Sequence, residues 1–274
     1  MPNMLTPLTK NELLQIFDKI ALNVLELCMK KLLISQPERL VGQHPLPIQV
    51  PKEHIEQWVV QAIGATPVGA GAYPIDVIKP GEFGADIKML SCKVNSYGEL
   101  SDTTSGETSL AQKFTSAGVD LDTAFAQKNY DAITNDWIEI LKAKLNRVTR
   151  EQCVDKLYYI FILRASTKFH LCAAHININN IDMIATNKDK TTSTSIFLNN
   201  VIDDHFGNAK IYKSKKRLEL RLKPKYWVDN NHVITFDFSE FIPPMVNLRN
   251  LIQQKDNNIA ECLQYLIGRY IQNE

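Results

Sequence analysis

The chain has five cysteines, Cys28, Cys92, Cys153, Cys172 and Cys262, scattered, odd in number and in no CxxC pair. That pattern fits neither a zinc site nor a disulfide framework, and it suits a reducing compartment. No basic stretch followed by an apolar run opens the chain, so no signal peptide is expected. No apolar run reaches the roughly 18 residues that a membrane span needs. These absences lead to the expectation of a cytoplasmic protein with no membrane contact. No GxSxG nucleophile motif occurs, and the glycine-containing segment 64–72 matches neither a P-loop nor GxGxxG. Serine-nucleophile hydrolysis and nucleotide binding through those loops are therefore not indicated. Internal repeats, low-complexity tracts and helicase or ATPase motifs are also missing.

What remains is a chain of 274 residues with 45% hydrophobic content, enough for one large domain or two small ones. The net charge of +1 hides a local asymmetry. Between positions 210 and 225 stand Lys210, Lys213, Lys215, Lys216, Arg217, Arg221, Lys223 and Lys225, against a single acid, Glu219. A near-neutral chain with one such stretch can hold a polyanion locally. Lys213, Lys215, Lys216 and Arg217 then form a phosphate-contacting arm, with Tyr212, Tyr226 and Trp227 nearby. The competing reading is a solvated edge strand whose lysines guard against aggregation.

The periodicities predict α/β architecture. A helix over 9–34 starts at Thr9 with Glu12 three residues on, a capping box. Its expected inner stripe is Leu13, Phe17, Ile20, Val24 and Leu27. A proline-rich loop over 35–51 leads to a second helix at 52–64. Further helices are expected at 108–117, 129–146 and 258–271, the last with Ile259, Leu263, Leu266, Ile267 and Tyr270 inward. The run Lys156–Ala165 reads as a strand buried on both faces. Strands also follow from 169–178, 195–202, 209–212, 218–222 and 233–236. His170 and His175, five apart on a strand, face opposite sides and read as satisfied core or surface histidines, not as joint ligands of one metal. The expected whole is a single domain over 1–274: a central mixed β-sheet flanked by helices, with extra strands in the C-terminal half. Within it, 1–50 is a helical N-terminal region, 51–180 the core, and 181–274 an elaboration ending in a helix.

One short segment carries chemistry. Asp76 and Asp86 are ten residues apart, with Pro80-Gly81 turn chemistry between them. A turn centred on Gly81 makes the two acids direct cross-strand neighbours, with Cβ atoms roughly 5 Å apart. Lys88 lies on the face of Asp86, and Ile87 on the other. Two carboxylates that close call for positive charge between them, such as a divalent cation with oxygen ligands. The plain alternative is the solvent face of a hairpin, with Asp86 and Lys88 as an ordinary ion pair.

Asp76…Asp86-Ile87-Lys88 resembles the PD-(D/E)xK nuclease superfamily, the fold of most type II restriction endonucleases. The likeness covers about residues 50–165. Its first half is loose, because Ile75 stands between Pro74 and Asp76. The resemblance implies Mg2+ held by Asp76, Asp86 and the carbonyl of Ile87, with Lys88 near the attacking water and the scissile phosphate. It also implies a glutamate from the preceding helix, a place that Glu56 fits with Glu53 one turn away, and a glutamine on the following helix, Gln112. The polar loop after the hairpin, Asn95–Gly106, reads either as a plain loop or as a recognition element with Asn95, Ser96, Asp102, Thr103 and Thr104 for base edges. Lys93 offers a rival register with Asp86 as first acid, although position 91 is then not an acid. The activity implied is Mg2+-dependent, sequence-specific cleavage of double-stranded DNA by a homodimeric type II restriction enzyme. A repair or toxin nuclease of the same fold, or a non-catalytic DNA-binding protein, are the alternatives.

Overall fold

The computed structural model describes residues 2–44, 48–68, 73–96, 98–101, 105–112, 120–241 and 244–271. The side chains of 52, 53, 112 and 271 also lie outside the description. The molecule is α/β, with a seven-stranded mixed sheet and a five-stranded antiparallel sheet.

The chain enters with strand β1 (Leu5–Pro7), helix α1 (Lys10–Ile16) and helix α2 (Lys19–Ile34). The capping box at Thr9 and Glu12 is formed. The single helix expected over 9–34 is instead two. Asp18 breaks it by taking an extended backbone and capping the N–H of Ala21 at 2.8 Å, as aspartate does at a helix start. The expected stripe is also corrected. Leu13 and Phe17 are buried, but α2 buries Ala21, Leu25, Met29, Leu32 and Leu33, while Ile20 and Leu27 face outward.

Helix α3 (Lys52–Ile63) ends on Gly64, whose left-handed φ of 62° closes it. A meander of β2 (Thr66–Pro67), β3 (Val77–Lys79) and β4 (Phe83–Ser91) follows. Gly81, at φ 74°, makes the β3–β4 turn. Ile75, the residue inserted after Pro74, is buried and packs over Gly84, where an added Cβ would meet its Cδ1 at 2.9 Å.

Strand β5 (Glu107–Gln112) occupies the place expected of a helix over 108–117. Its backbone pairs with a distant strand, and that tertiary pairing overrides local preference; residues 113–117 lie outside the described set. Helices α4 (Leu121–Ala126) and α5 (Tyr130–Gln152) lead to β6 (Lys156–Ala165). This strand runs parallel to β4 over its whole length and antiparallel to β7 (Lys168–Ile176). A parallel pair needs a crossover, and α5 lies within it. A 3-10 turn (Ile178–Met183) precedes β8 (Ala185–Asn187), β9 (Ser195–Asn199), β10 (Gly207–Tyr212) and β11 (Arg217–Leu222). After helix α6 (Pro224–Asp229), β12 (Ile234–Asp237) returns to β7, on which β1 also pairs. The first sheet thus draws strands from positions 5–7 and 234–237 as well as from 51–180. Helices α7 (Leu248–Gln254) and α8 (Ile259–Ile271) close the chain. On α8, Tyr270 is buried as expected, but Ile259, Leu263 and Ile267 are exposed, and Cys262 takes the inner position.

One face of the first sheet packs on α2 and α3 through Ala85, Ile87, Ile160 and Ile162. The other packs on α5 and the second sheet through Leu90, Leu157, Phe161 and Leu163. The second sheet has the order β5-β11-β10-β9-β8. Strands β10 and β11, which carry Lys210, Arg217 and Arg221 and are joined by the turn with Lys213, Lys215 and Lys216, are therefore interior, so the edge-strand reading does not hold.

Candidate acid–lysine site

The β3–β4 register pairs Val77 with Ala85, Ile78 with Gly84 and Lys79 with Phe83. The paired register ends there: Asp76 lies one residue before β3, and its N–H donates to the carbonyl of Ala85 at 2.9 Å, so the direct cross-strand pairing expected of Asp76 and Asp86 is not part of the ladder. Oδ2 of Asp76 accepts the backbone N–H of Ile87 at 2.6 Å. Lys88 donates to Oδ1 of Asp86, and its Nζ stands 3.9 Å from Oδ2 of Asp76. The two acids and the lysine are therefore one cluster. The plain reading of a solvent-facing hairpin does not fit Asp86, which is only 4% exposed.

Burial dominates the electrostatics. It pushes the Asp86 carboxyl from 3.8 up to about 7, with Lys88 opposing and Asp76 adding to the rise. Burial works to lower the pKa of Lys88, but the negative charges of Asp86, Asp76 and Glu56 outweigh it and raise it. Glu56 is exposed on α3, close enough for its charge to act on Lys88.

Two neighbours escaped the sequence reading. Lys144 of α5 donates to the carbonyl of Leu110 on β5 at 2.9 Å. Burial lowers its pKa, Asp86 and Asp76 raise it, and Lys88 lowers it. It lies within electrostatic reach of the whole cluster. The available signal was a lysine seven residues after Trp137 and four before Val148, on the buried stripe of α5. Tyr159 is paired with Asp86 in the β4–β6 register. It is fully buried, and its hydroxyl has no hydrogen-bond partner among the described residues. Nothing in the run Lys156–Ala165 marks it out from its apolar neighbours.

The other expected residues are placed elsewhere. Lys93 is exposed beyond the end of β4. Asn95 closes a turn with Glu99, accepting the N–H of Glu99 at 3.0 Å, and Ser96 is exposed in the same turn. Asp102, Thr103 and Thr104 lie outside the described residues. Gln112 ends β5 and is not on a helix, which corrects its expected setting. In the basic turn, Lys215 lies 2.9 Å from Glu107 and 3.0 Å from Glu219. Nζ of Lys213 and of Lys216 stand 3.9 and 3.6 Å from Asp122. Arg217 is exposed. His170 is buried and shares a hydrogen bond with Thr235, while His175 packs edge-on to Tyr158. They sit five apart along one strand, as expected.

Among the described residues no group of three or more His, Cys, Asp or Glu side chains is gathered to hold a metal ion. Magnesium keeps several waters and takes one or two carboxylates, so the Asp76–Asp86 pair fits that smaller requirement. The group of Ile87 that meets the pair is its N–H. Among the described residues no helix is long and apolar enough to cross a membrane. Comparison of the chain with protein-family models, curated proteins and solved structures finds no match.

Proposed function

We propose that this protein is a Mg2+-dependent double-stranded DNA endonuclease of the restriction type, working in the cytoplasm as a homodimer. The observation that carries the reading is the buried Asp86, set beside Asp76 and Lys88 with its carboxyl pushed up to about 7. Such a pair gains from a cation that holds both acids ionised. Asp76 and Asp86 would hold Mg2+, which when bound supplies a polarised water and offsets charge on the phosphoryl oxygens. Lys88 keeps its proton in this acid surrounding and directs an ammonium at the phosphate. Glu56 strengthens that hold on the proton, and Lys144 adds a second positive charge from α5. Arg217, with Lys213 and Lys216, contacts phosphates further along the duplex. Their pairs with Asp122 are exposed, and surface ion pairs of that kind cost little to exchange. Asn95, Ser96, Thr103 and Thr104 remain the proposed base-reading loop, and Gln112 a duplex contact.

The test is a digest of a sequenced plasmid with Mg2+ and with EDTA, using wild type and Asp86→Ala. Discrete bands that need both Mg2+ and Asp86 support the reading. A smear points to a non-specific repair or toxin nuclease. Binding at low salt without cleavage leaves a non-catalytic DNA-binding protein, since phosphate contacts are strongest there. No binding at low salt overturns the reading altogether.

A further inference from the structure

Helix α2 is apolar on two sides. One side is buried in the core, as described above. On the other, Ile20, Leu27 and Ile34 are exposed, at 71%, 60% and 37%. These three recur every seven residues, with Val24 and Lys31 at the positions between them. A helix that keeps a 3.5-residue apolar period presents a continuous seam to another helix, and a polar residue within such a seam selects register. At about 1.5 Å per residue the seam is roughly 21 Å long. A groove of about 520 Å³ opens beside its C-terminal half, lined by Leu27, Ile34, Phe238, Phe241 and Tyr270 among others. Beside the seam, Glu26 and Lys30 form an ion pair at 3.5 Å.

We propose that α2 is the contact surface between two copies of this chain, crossing antiparallel near Leu27 about a twofold axis. Two features of α2 single out that arrangement. Reversing the helix about a point between Leu27 and Cys28 brings Ile20 of one copy within one residue of Ile34 and to the groove of the other, so the most exposed residue of the seam meets the open space beside it. The same reversal brings Glu26 within one residue of Lys30 of the partner subunit. A twofold axis makes each of these contacts twice. A parallel crossing does neither: it stacks like charges on like and leaves both grooves unfilled. Helix α8 extends the surface, because Ile267 and Leu263 are exposed one and two turns before Tyr270 in the groove wall. The proposal rests on the homodimer of the proposed function, while the acid–lysine cluster lies elsewhere, so loss of the dimer is read by sedimentation and loss of the nuclease site by Mg2+-dependent cleavage, each without the other.

Sedimentation equilibrium of the full chain tests the proposal. Wild type should run at about twice the 31.1 kDa of one chain. Leu27→Glu should weaken association by roughly a hundredfold or more, since each dimer loses two buried leucines. Its circular-dichroism melt should stay cooperative, because Leu27 makes no part of the core. Glu26→Lys alone should weaken the dimer, and Glu26→Lys with Lys30→Glu should restore it. A monomeric wild type at tens of micromolar, or a Leu27→Glu dimer of unchanged strength, overturns the surface. If the charge reversal has no effect, or the double variant fails to recover, the antiparallel register is overturned.

Discussion

Oδ2 of Asp76 accepts a 2.6 Å hydrogen bond from the backbone N–H of Ile87. The first acid is thereby tied to the strand that carries the second, one residue past Asp86. The spacing of the pair is set by the hairpin before any ligand arrives. Lys88 closes the cluster by donating to Asp86 from two residues further along.

Asp86 should make folding stability depend on pH. Its carboxyl rises from 3.8 to about 7, chiefly through burial. The folded chain therefore binds this proton more tightly than the unfolded chain. The resulting stability is fully present below about pH 4 and is lost as pH rises towards 7, levelling off above. At about 1.4 kcal/mol per pH unit the loss is a few kcal/mol. Denaturant unfolding of wild type and Asp86→Asn between pH 4 and 8 checks this. The difference between the two curves should fall across that window; a difference that is flat with pH rules the assignment out.

Magnesium should stabilise the folded chain. An ion that binds only the native state at a hundredfold over its Kd adds about 2.7 kcal/mol. Thermal unfolding should show a rise in Tm with Mg2+ for wild type and none for Asp76→Asn. The rise should shrink below pH 7, where protons compete for Asp86.

Lys144 should be felt through pH rather than through folding. Its charge lies within reach of Asp76, Asp86 and Lys88, and a nearby cation favours the ionised carboxylate. In Lys144→Met the acid limb of the cleavage-rate profile should move to higher pH. Arginine at 144 should bring it back part of the way. A profile that loses amplitude without moving would assign Lys144 to packing alone.

The basic turn should divide into two kinds of residue. Lys215 sits between Glu107 and Glu219, whose side chains are nearly buried. Lys215→Ala leaves two carboxylates facing each other and should lower Tm, by an amount limited by the exposure of the lysine. Arg217 is exposed, so Arg217→Ala should leave Tm unchanged. It should instead weaken DNA binding uniformly across sequences and reduce the salt slope by about one. Equal effects of the two variants on Tm would contradict this division.

The sequence by itself determined several local features. Thr9 and Glu12 cap their helix because both partners lie within one turn. The run Lys156–Ala165 forms one strand because it is apolar on both faces, and both faces are covered. Gly81 supplies the left-handed turn, which joins β3 to β4 and brings the segment of Asp76 alongside that of Asp86. Each of these rests on residues a few positions apart. Tertiary structure decided the rest. Ile20 and Leu27 on α2 have the same periodicity as a core stripe, and only packing tells which side of a doubly apolar helix is buried. Glu107–Gln112 became a strand because β11, over a hundred residues away, pairs with it. Its Glu107 then pairs with Lys215 and Arg221 of the basic stretch. Lys144 joined the acid cluster because α5 lies across the sheet from β4. Charge and burial act through space, so these neighbours were set by the fold and by no local spacing.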